Sequence, residues 1–307
     1  MVCLRVALTA IVVLALFASS PSAAPDFSEW LAPANLGPVI NSAFAEGGPA
    51  ISKDGLSLYF LSDRPGGYGS IDVWVSQRGR RGEPWGSPIN LGEVINSVGT
   101  EAAPAFSRDE HWLFFASDRP GGLGANDIWA SYRQNIHDPF GWQPAVNLGA
   151  NINSAFNDAG PSYFANDGAG APQLFFQSGR PGGLGGLDIY ISELLPDGTF
   201  GPASLVVELN SPGTEARPSI RFDGLEIFFF SDRPVSAGSL DLWAATRRTV
   251  FDPWSMPANL GPIVNSVVGD VQPYIASDRQ TLFFQSARVG GFGGADLWVT
   301  TRTKHTP

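Results

Sequence analysis

Ser62-Asp63-Arg64-Pro65-Gly66-Gly67-Tyr68-Gly69-Ser70-Ile71-Asp72-Val73-Trp74 returns as Ser117-Asp118-Arg119-Pro120-Gly121-Gly122-Leu123-Gly124-Ala125-Asn126-Asp127-Ile128-Trp129, and three more times in looser form. The closing triplets Asp72-Val73-Trp74, Asp127-Ile128-Trp129, Asp188-Ile189-Tyr190, Asp241-Leu242-Trp243 and Asp296-Leu297-Trp298 fall at intervals of 55, 61, 53 and 55 residues. Each follows an apolar run such as Leu58-Tyr59-Phe60-Leu61. Each precedes an aromatic and an Asn-Leu-Gly turn, at 85–92, 142–149 and 254–261, with a degenerate version at 200–209. Self-similarity at a near-fixed period is the signature of a repeat architecture.

Within a unit, four short extended runs are separated by turn residues, at 49–52, 56–61, 71–76 and 85–90 in the first copy. They predict a four-stranded antiparallel meander. Asp54-Gly55, Asp167-Gly168 and Asp223-Gly224 are tight-hairpin signals between the first two runs. No stretch sustains a helical period, so the chain reads as all-β. One such sheet cannot cover both of its faces, whereas five arranged radially bury one another, which predicts a five-bladed β-propeller. A fourth-strand segment at 30–37 stands ahead of the first full unit, and the last unit stops after its third strand at 296–302. The N-terminal strand is therefore expected to complete the last blade and remove an open edge.

With 43% apolar and 16% charged residues among 307, the chain can bury a full core. A formal charge of −10 argues against a nucleic-acid partner held through phosphates. Arg5, the apolar run 6–18 and small residues up to Ala24 predict a signal peptide over 1–23, leaving 24–307 as a single propeller domain in a secreted or periplasmic protein. The apolar run is short for a membrane span and no second one follows, so no span is expected after its removal. Cys3, the sole cysteine, leaves with that segment, which excludes disulfides and thiol chemistry from the mature chain. A monomer is expected.

Two residue sets recur in all five units. Arg and Asp stand eight apart, as Arg64 and Asp72, Arg119 and Asp127, Arg180 and Asp188, Arg233 and Asp241, and Arg288 and Asp296. A loop joining neighbouring strands would bring its two ends together, so these are expected to be structural ion pairs. Asn and an acid stand five apart, as Asn41 and Glu46, Asn96 and Glu101, Asn153 and Asp158, Asn210 and Glu215, and Asn265 and Asp270. Placed at the start of the innermost strands, five carboxylates would ring one mouth of the central channel. At roughly 8 Å apart, each adjacent pair would repel by about 0.5 kcal/mol in water and about 2 kcal/mol at an effective dielectric of 20. A cation, hydrogen bonds or a raised pKa must relieve that. The first reading is that each acid serves its own blade by satisfying backbone groups. The second is a channel-mouth site for a cation, a sugar or a basic peptide. The third is catalysis by two of the acids, although glycoside hydrolysis needs two carboxylates in different environments and these look alike.

Departures from the repeat single out three more residues. Before the proline that follows each acid stand Gly48, Ala103, Gly160, Arg217 and Gln272, so Arg217 is a lone cation beside the ring and Gln272 a lone amide. Trp112 replaces Ser57, Gln173, Glu226 and Thr281 of the other units and is a candidate contact residue. The histidines occupy unrelated positions, so no metal triad is expected. Calcium at the channel mouth is the single cofactor candidate.

The Ser-Asp-Arg-Pro-Gly-Gly-x-Gly-x-x-Asp-Ile-Trp pattern, with the Asp-Gly hairpin and the Trp-x-x-Pro-x-Asn-Leu-Gly strand, resembles the WD40-like (PD40) β-propeller repeats of TolB-type envelope proteins. It is also similar to the propellers attached to OmpA-type domains. The resemblance spans about residues 30–302. It implies a non-catalytic binding or scaffold protein with a protein or glycan partner in the cell envelope or outside the cell. The alternative is a glycan-acting hydrolase whose acids lie at the channel mouth.

Overall fold

The computed structural model describes residues 27–305, and the predicted signal peptide lies outside the described residues. The chain opens with β1 (Ala34–Asn35) and then builds blade 1 from β2 (Glu46–Ile51), β3 (Ser57–Ser62), β4 (Asp72–Gln77) and β5 (Ile89–Asn90). Blade 2 holds β6 (Glu101–Phe106), β7 (Trp112–Ser117), β8 (Asp127–Tyr132) and β9 (Val146–Asn147). Blade 3 holds β10 (Asp158–Phe164), β11 (Gln173–Ser178), β12 (Asp188–Glu193) and β13 (Ser204–Leu205). Blade 4 holds β14 (Glu215–Ile220), β15 (Glu226–Ser231), β16 (Asp241–Thr246) and β17 (Ala258–Asn259). Blade 5 joins β18 (Asp270–Ile275), β19 (Thr281–Ser286) and β20 (Asp296–Thr301) to β1. A 3-10 turn at Val207–Leu209 is the one helical element among the described residues.

Every sheet is an antiparallel meander, and the ring closes as the terminal segments predicted: Ala34 pairs with Val299 and Asn35 with Trp298. This is a five-bladed β-propeller. Its core lies between blades. Tyr59 faces blade 2, where it meets Phe106 edge-on at 4.8 Å, while Leu58 and Phe60 pack with Phe283 and Leu297 of blade 5. Both faces of each sheet are covered, which is why the second strands read as unbroken apolar runs rather than alternating ones.

The innermost strands begin three residues earlier than turn signals indicated, at Glu46 rather than Pro49 in blade 1. Proline has no N–H for the ladder, so pairing skips from Gly47 to Ala50 through a bulge that recurs in every blade. The residue before each proline is left-handed, with φ of 51° at Gly48, 57° at Ala103, 61° at Gly160, 52° at Arg217 and 55° at Gln272. The molecule has two unlike ends. One gathers the inner acids and the Gly-rich loops, here the acid end. The other gathers the Asp54-Gly55 type turns, here the hairpin end.

Candidate functional site

The inner acids are positioned by the edge of the preceding blade. In blade 2 the Glu101 amide donates to Ile71 O at 2.8 Å, and the same bond recurs from Glu46 to Ala295, Asp158 to Asn126, Glu215 to Leu187 and Asp270 to Leu240. The side chains then turn into protein. Glu101 has no solvent exposure and accepts the Ser97 amide at 2.7 Å, the Ser97 hydroxyl at 2.5 Å, the Ser117 hydroxyl at 2.7 Å and Arg119 Nη2 at 3.0 Å. Glu46 and Glu215 have the same set with Arg64 and Arg233. Asp158 and Asp270 pair with Arg180 and Arg288. Each guanidinium lies over two rings, Phe115 at 5.0 Å and Trp129 at 5.3 Å for Arg119. The repulsion foreseen among five carboxylates is thus met by five arginines, and the five acids present no open oxygen to a ligand.

This arrangement corrects the expected Arg–Asp pairs. Arg64 bonds Glu46 instead of Asp72, and the same exchange occurs for Arg119 and Asp127, Arg180 and Asp188, Arg233 and Asp241, and Arg288 and Asp296. The reason is the tight loop. Asp127 Oδ2 accepts the Leu123 amide at 2.6 Å and Asn147 Nδ2 at 2.7 Å, while Oδ1 accepts the Gly124 amide at 3.0 Å. Loop amides occupy the aspartate before an arginine can reach it. The paired asparagines act as backbone surrogates across the blade junction. Asn96 accepts from Val73 N at 2.9 Å and donates to Val73 O at 3.0 Å, and Asn41, Asn153, Asn210 and Asn265 repeat this with Leu297, Ile128, Ile189 and Leu242.

Arg217 does not neutralise the ring. It is buried, and it reaches across the channel to donate to Ala103 O at 2.8 Å and Pro104 O at 3.0 Å in blade 2. Its own amide donates to Gln177 Oε1 at 2.8 Å. Burial without a carboxylate partner lowers its pKa to about 10. Gln272 stands one blade on, with Oε1 buried and unpaired. Its Oε1 lies 2.9 Å from where a Cβ on Gly48 would sit. The channel is thus bridged by side chains rather than open.

Trp112 is at the hairpin end, far along its blade from the acids. It borders a cavity of about 370 Å³ between blades 2 and 3, with Phe114, Tyr163, Leu194 and Phe200 among its walls. The cavity arises from a departure that sequence reading passed over. In the other blades an arginine at the end of the third strand stacks on the tryptophan that opens the fourth-strand segment: Arg78 on Trp85 at 4.2 Å, Arg133 on Trp142 at 4.4 Å, Arg247 on Trp254 at 4.2 Å and Arg302 on Trp30 at 4.5 Å. Blade 3 has Leu194 and Phe200 in those places. The signal was present in the sequence, six residues after each Asp of the triplets.

Asp63, Asp118 and Asp232 are exposed at the acid end. Each uses Oδ1 to accept one amide, from Ala45, Thr100 and Thr214 at 2.6–2.7 Å. Gly179 and Ala287 replace them in blades 3 and 5. Among the described residues no cluster of three or more His, Cys, Asp or Glu side chains is placed to hold a metal ion. No helix there is long and apolar enough to cross a membrane.

No protein-family profile matches the chain, and no curated protein is similar to it by sequence. Similar solved structures exist. The GH43_1 enzyme from Xanthomonas citri complexed with xylose is 16% identical, with a TM-score of 0.62 over 89% of this chain and 91% of its own. The catalytic domain of the Coprinopsis cinerea GH62 α-L-arabinofuranosidase is 14% identical, with a TM-score of 0.59 over 91% of this chain and 98% of its own. TolB from Acinetobacter baumannii is 15% identical, with a TM-score of 0.53 over 86% of this chain and 56% of its own. At such identities the likeness is one of fold. The PD40 and TolB resemblance holds as a propeller and no further. The expectation of a non-catalytic binding or scaffold module is corrected by this comparison, because the similar structures are mainly glycoside hydrolases.

Proposed function

We propose that this protein is a glycan-acting hydrolase working at the acid end of its propeller, outside the cytoplasm. The observation that supports it is agreement of fold, over 89–91% of this chain, with enzymes solved in complex with xylose, xylotriose and cellotriose. Glycoside hydrolysis runs on two carboxylates, one giving a proton to the leaving oxygen and one acting as base or nucleophile. The five inner acids are unsuited to this, because each is held by an arginine and serine donors and none has an oxygen free to meet a substrate. Exposed carboxylates remain at that end, and of these Asp63, Asp118 and Asp232 stand on the loops that follow the second strands. They come from three of five blades, with Gly179 and Ala287 in their place in the other two.

The test is turnover of aryl α-L-arabinofuranosides, aryl β-xylosides, xylo-oligosaccharides and cello-oligosaccharides by the wild type and by Asp63→Asn, Asp118→Asn and Asp232→Asn. The expected result is turnover by wild type and a loss of about 100-fold or more in at least two variants. Absence of turnover above the uncatalysed rate on every substrate would overturn the reading. Retention of full rate by all three variants would remove these residues from it.

A further inference from the structure

The acid end carries a second pattern that glycan hydrolysis does not require. Residue x of each Gly-Gly-x-Gly loop is apolar, and it is half exposed as Tyr68, Leu123, Leu184 and Phe292. At three of these junctions the next blade brings another exposed apolar residue. The backbone of Gly69, beside Tyr68, lies against Gly99, beside Val98. Likewise Gly124, beside Leu123, lies against Phe156, and Gly293, beside Phe292, lies against Phe44. Val98 is 85% exposed, so its side chain gains little from folding. A fold that places apolar groups in water at successive blade junctions around one rim has made a sticky surface, of the kind found where other molecules dock.

Charge is divided just as unevenly. The loops of the acid end contain one arginine per blade and no lysine, and each arginine is already matched to an inner acid. The five loop aspartates that follow, together with Asp63, Glu93, Asp118, Glu208 and Asp232, have no basic side chain to answer them there. Basic and acidic residues nearly cancel at the hairpin end, which holds Arg78, Arg80, Arg81, Arg108, Arg247 and Arg248 among others. The formal charge of −10 is therefore concentrated at the end that also exposes the apolar rim. Such a field attracts cations and repels anionic surfaces.

We infer that the acid end docks a polypeptide segment in which lysine or arginine alternates with large apolar side chains. Apolar groups of the segment would cover the blade-junction pairs while its cations meet the rim carboxylates. This is independent of hydrolysis and stands whether or not the protein turns over a glycan.

The probe is a synthetic peptide alternating lysine with leucine and phenylalanine, set against the same peptide with glutamate for lysine, with binding read by fluorescence anisotropy. Wild type should bind the lysine peptide, at least about tenfold more weakly in high salt than in low. It should not bind the glutamate peptide. Phe44→Ser, Tyr68→Ser, Phe156→Ser and Phe292→Ser combined should weaken binding at least tenfold, and so should Glu93→Lys with Glu208→Lys. If the fourfold variant fails to fold, Val98→Ser with Val267→Ser replaces it, since both side chains are more than four-fifths exposed and Val267 stands at the junction where Gly238 of blade 4 lies against Val268. Equal binding of both peptides, or wild-type affinity in the apolar and charge variants alike, would overturn the proposal. Binding to neutral phosphatidylcholine vesicles that matches peptide binding and is lost in the apolar variant would overturn it in favour of a lipid surface.

Discussion

Arg119 Nη2 lies 3.0 Å from Glu101 Oε1, eighteen residues back in the chain, while Asp127, eight residues ahead, is held by loop amides. The acid is fully buried and the arginine nearly so. Removing one partner of such a pair leaves the other charged and without compensation. Glu101→Gln is expected to cost about 3 to 5 kcal/mol in denaturant unfolding. A double-mutant cycle should couple Glu101 to Arg119 by more than about 1 kcal/mol and Arg119 to Asp127 by less than about 0.5 kcal/mol. Stronger coupling to Asp127 would contradict the pairing seen here.

Blade contacts place a steric demand on one glycine of each loop. A Cβ on Gly124 would sit 2.1 Å from Phe156 O, whereas one on Gly149, at φ 78°, would meet nothing within 4 Å. Gly149 therefore needs only a left-handed backbone, which asparagine tolerates. Gly149→Asn should be nearly silent in thermal unfolding and Gly124→Asn severe, with Gly124→Ala costing at least about 1 to 3 kcal/mol. Similar losses at the two sites would mean that the blades are not packed this closely.

Alkaline stability should follow the buried phenols. Tyr59 is fully buried, accepts a hydrogen bond from Arg133 Nη1 at 3.1 Å, and has its pKa pushed up to about 12 by burial; Tyr274 is raised for the same reason. The unfolded chain releases these protons near pH 10 and the folded chain holds them longer. The stability that Tyr59 contributes is complete below about pH 10 and is lost as pH rises through about 12. For Tyr59 the loss is on the order of 2 to 3 kcal/mol. Unfolding midpoints between about pH 9 and 12 should fall less steeply in Tyr59→Phe than in wild type. Parallel slopes would exclude Tyr59 as a source.

Closure of the ring rests on a few polar bonds as well as on β1. Asn35 Nδ2 donates to Asp296 Oδ2 at 2.8 Å, and its Oδ1 accepts from Gly37 N and Asn41 Nδ2, tying the first strand to the last blade. Asn35→Ala should cost about 1 to 3 kcal/mol. It should also speed amide hydrogen exchange in β20 while leaving β8 of blade 2 protected. Unchanged protection of β20 would show that closure does not depend on this side chain.

The repeat makes the fold legible in the sequence. Five copies of an apolar run, a Gly-rich loop and an Asn-Leu-Gly turn, with a spare fourth strand at the start and a missing one at the end, leave a closed five-bladed ring as the economical arrangement. Strand positions followed to within a few residues, and the difference at Glu46 came from a proline bulge.

Pairing among the polar residues was less legible. Spacing along the chain joined Arg119 to Asp127 because a loop returns on itself, yet the amides of that same loop were closer to the aspartate. The three-way contact of Glu101, Ser97 and Arg119 joins an inner strand to two loops. Ser97 stands four residues before the acid, as its counterparts do in every unit, but the arginine comes from beyond the second strand and its nearer aspartate misdirects the reading. Arg217 stood out as an asymmetric cation, but its partners are carbonyls on blade 2, more than a hundred residues away.

From sequence alone came the number of blades, the strand order, the closing strand and the list of residues that recur, because periodicity and turn chemistry are properties of neighbouring residues. Only the tertiary structure decided which carboxylates are sealed by arginine, that the channel is bridged, and that net charge and exposed apolar groups gather at one end. Those depend on distances between blades, where burial and hydrogen-bond competition choose among partners that the sequence presents as equals.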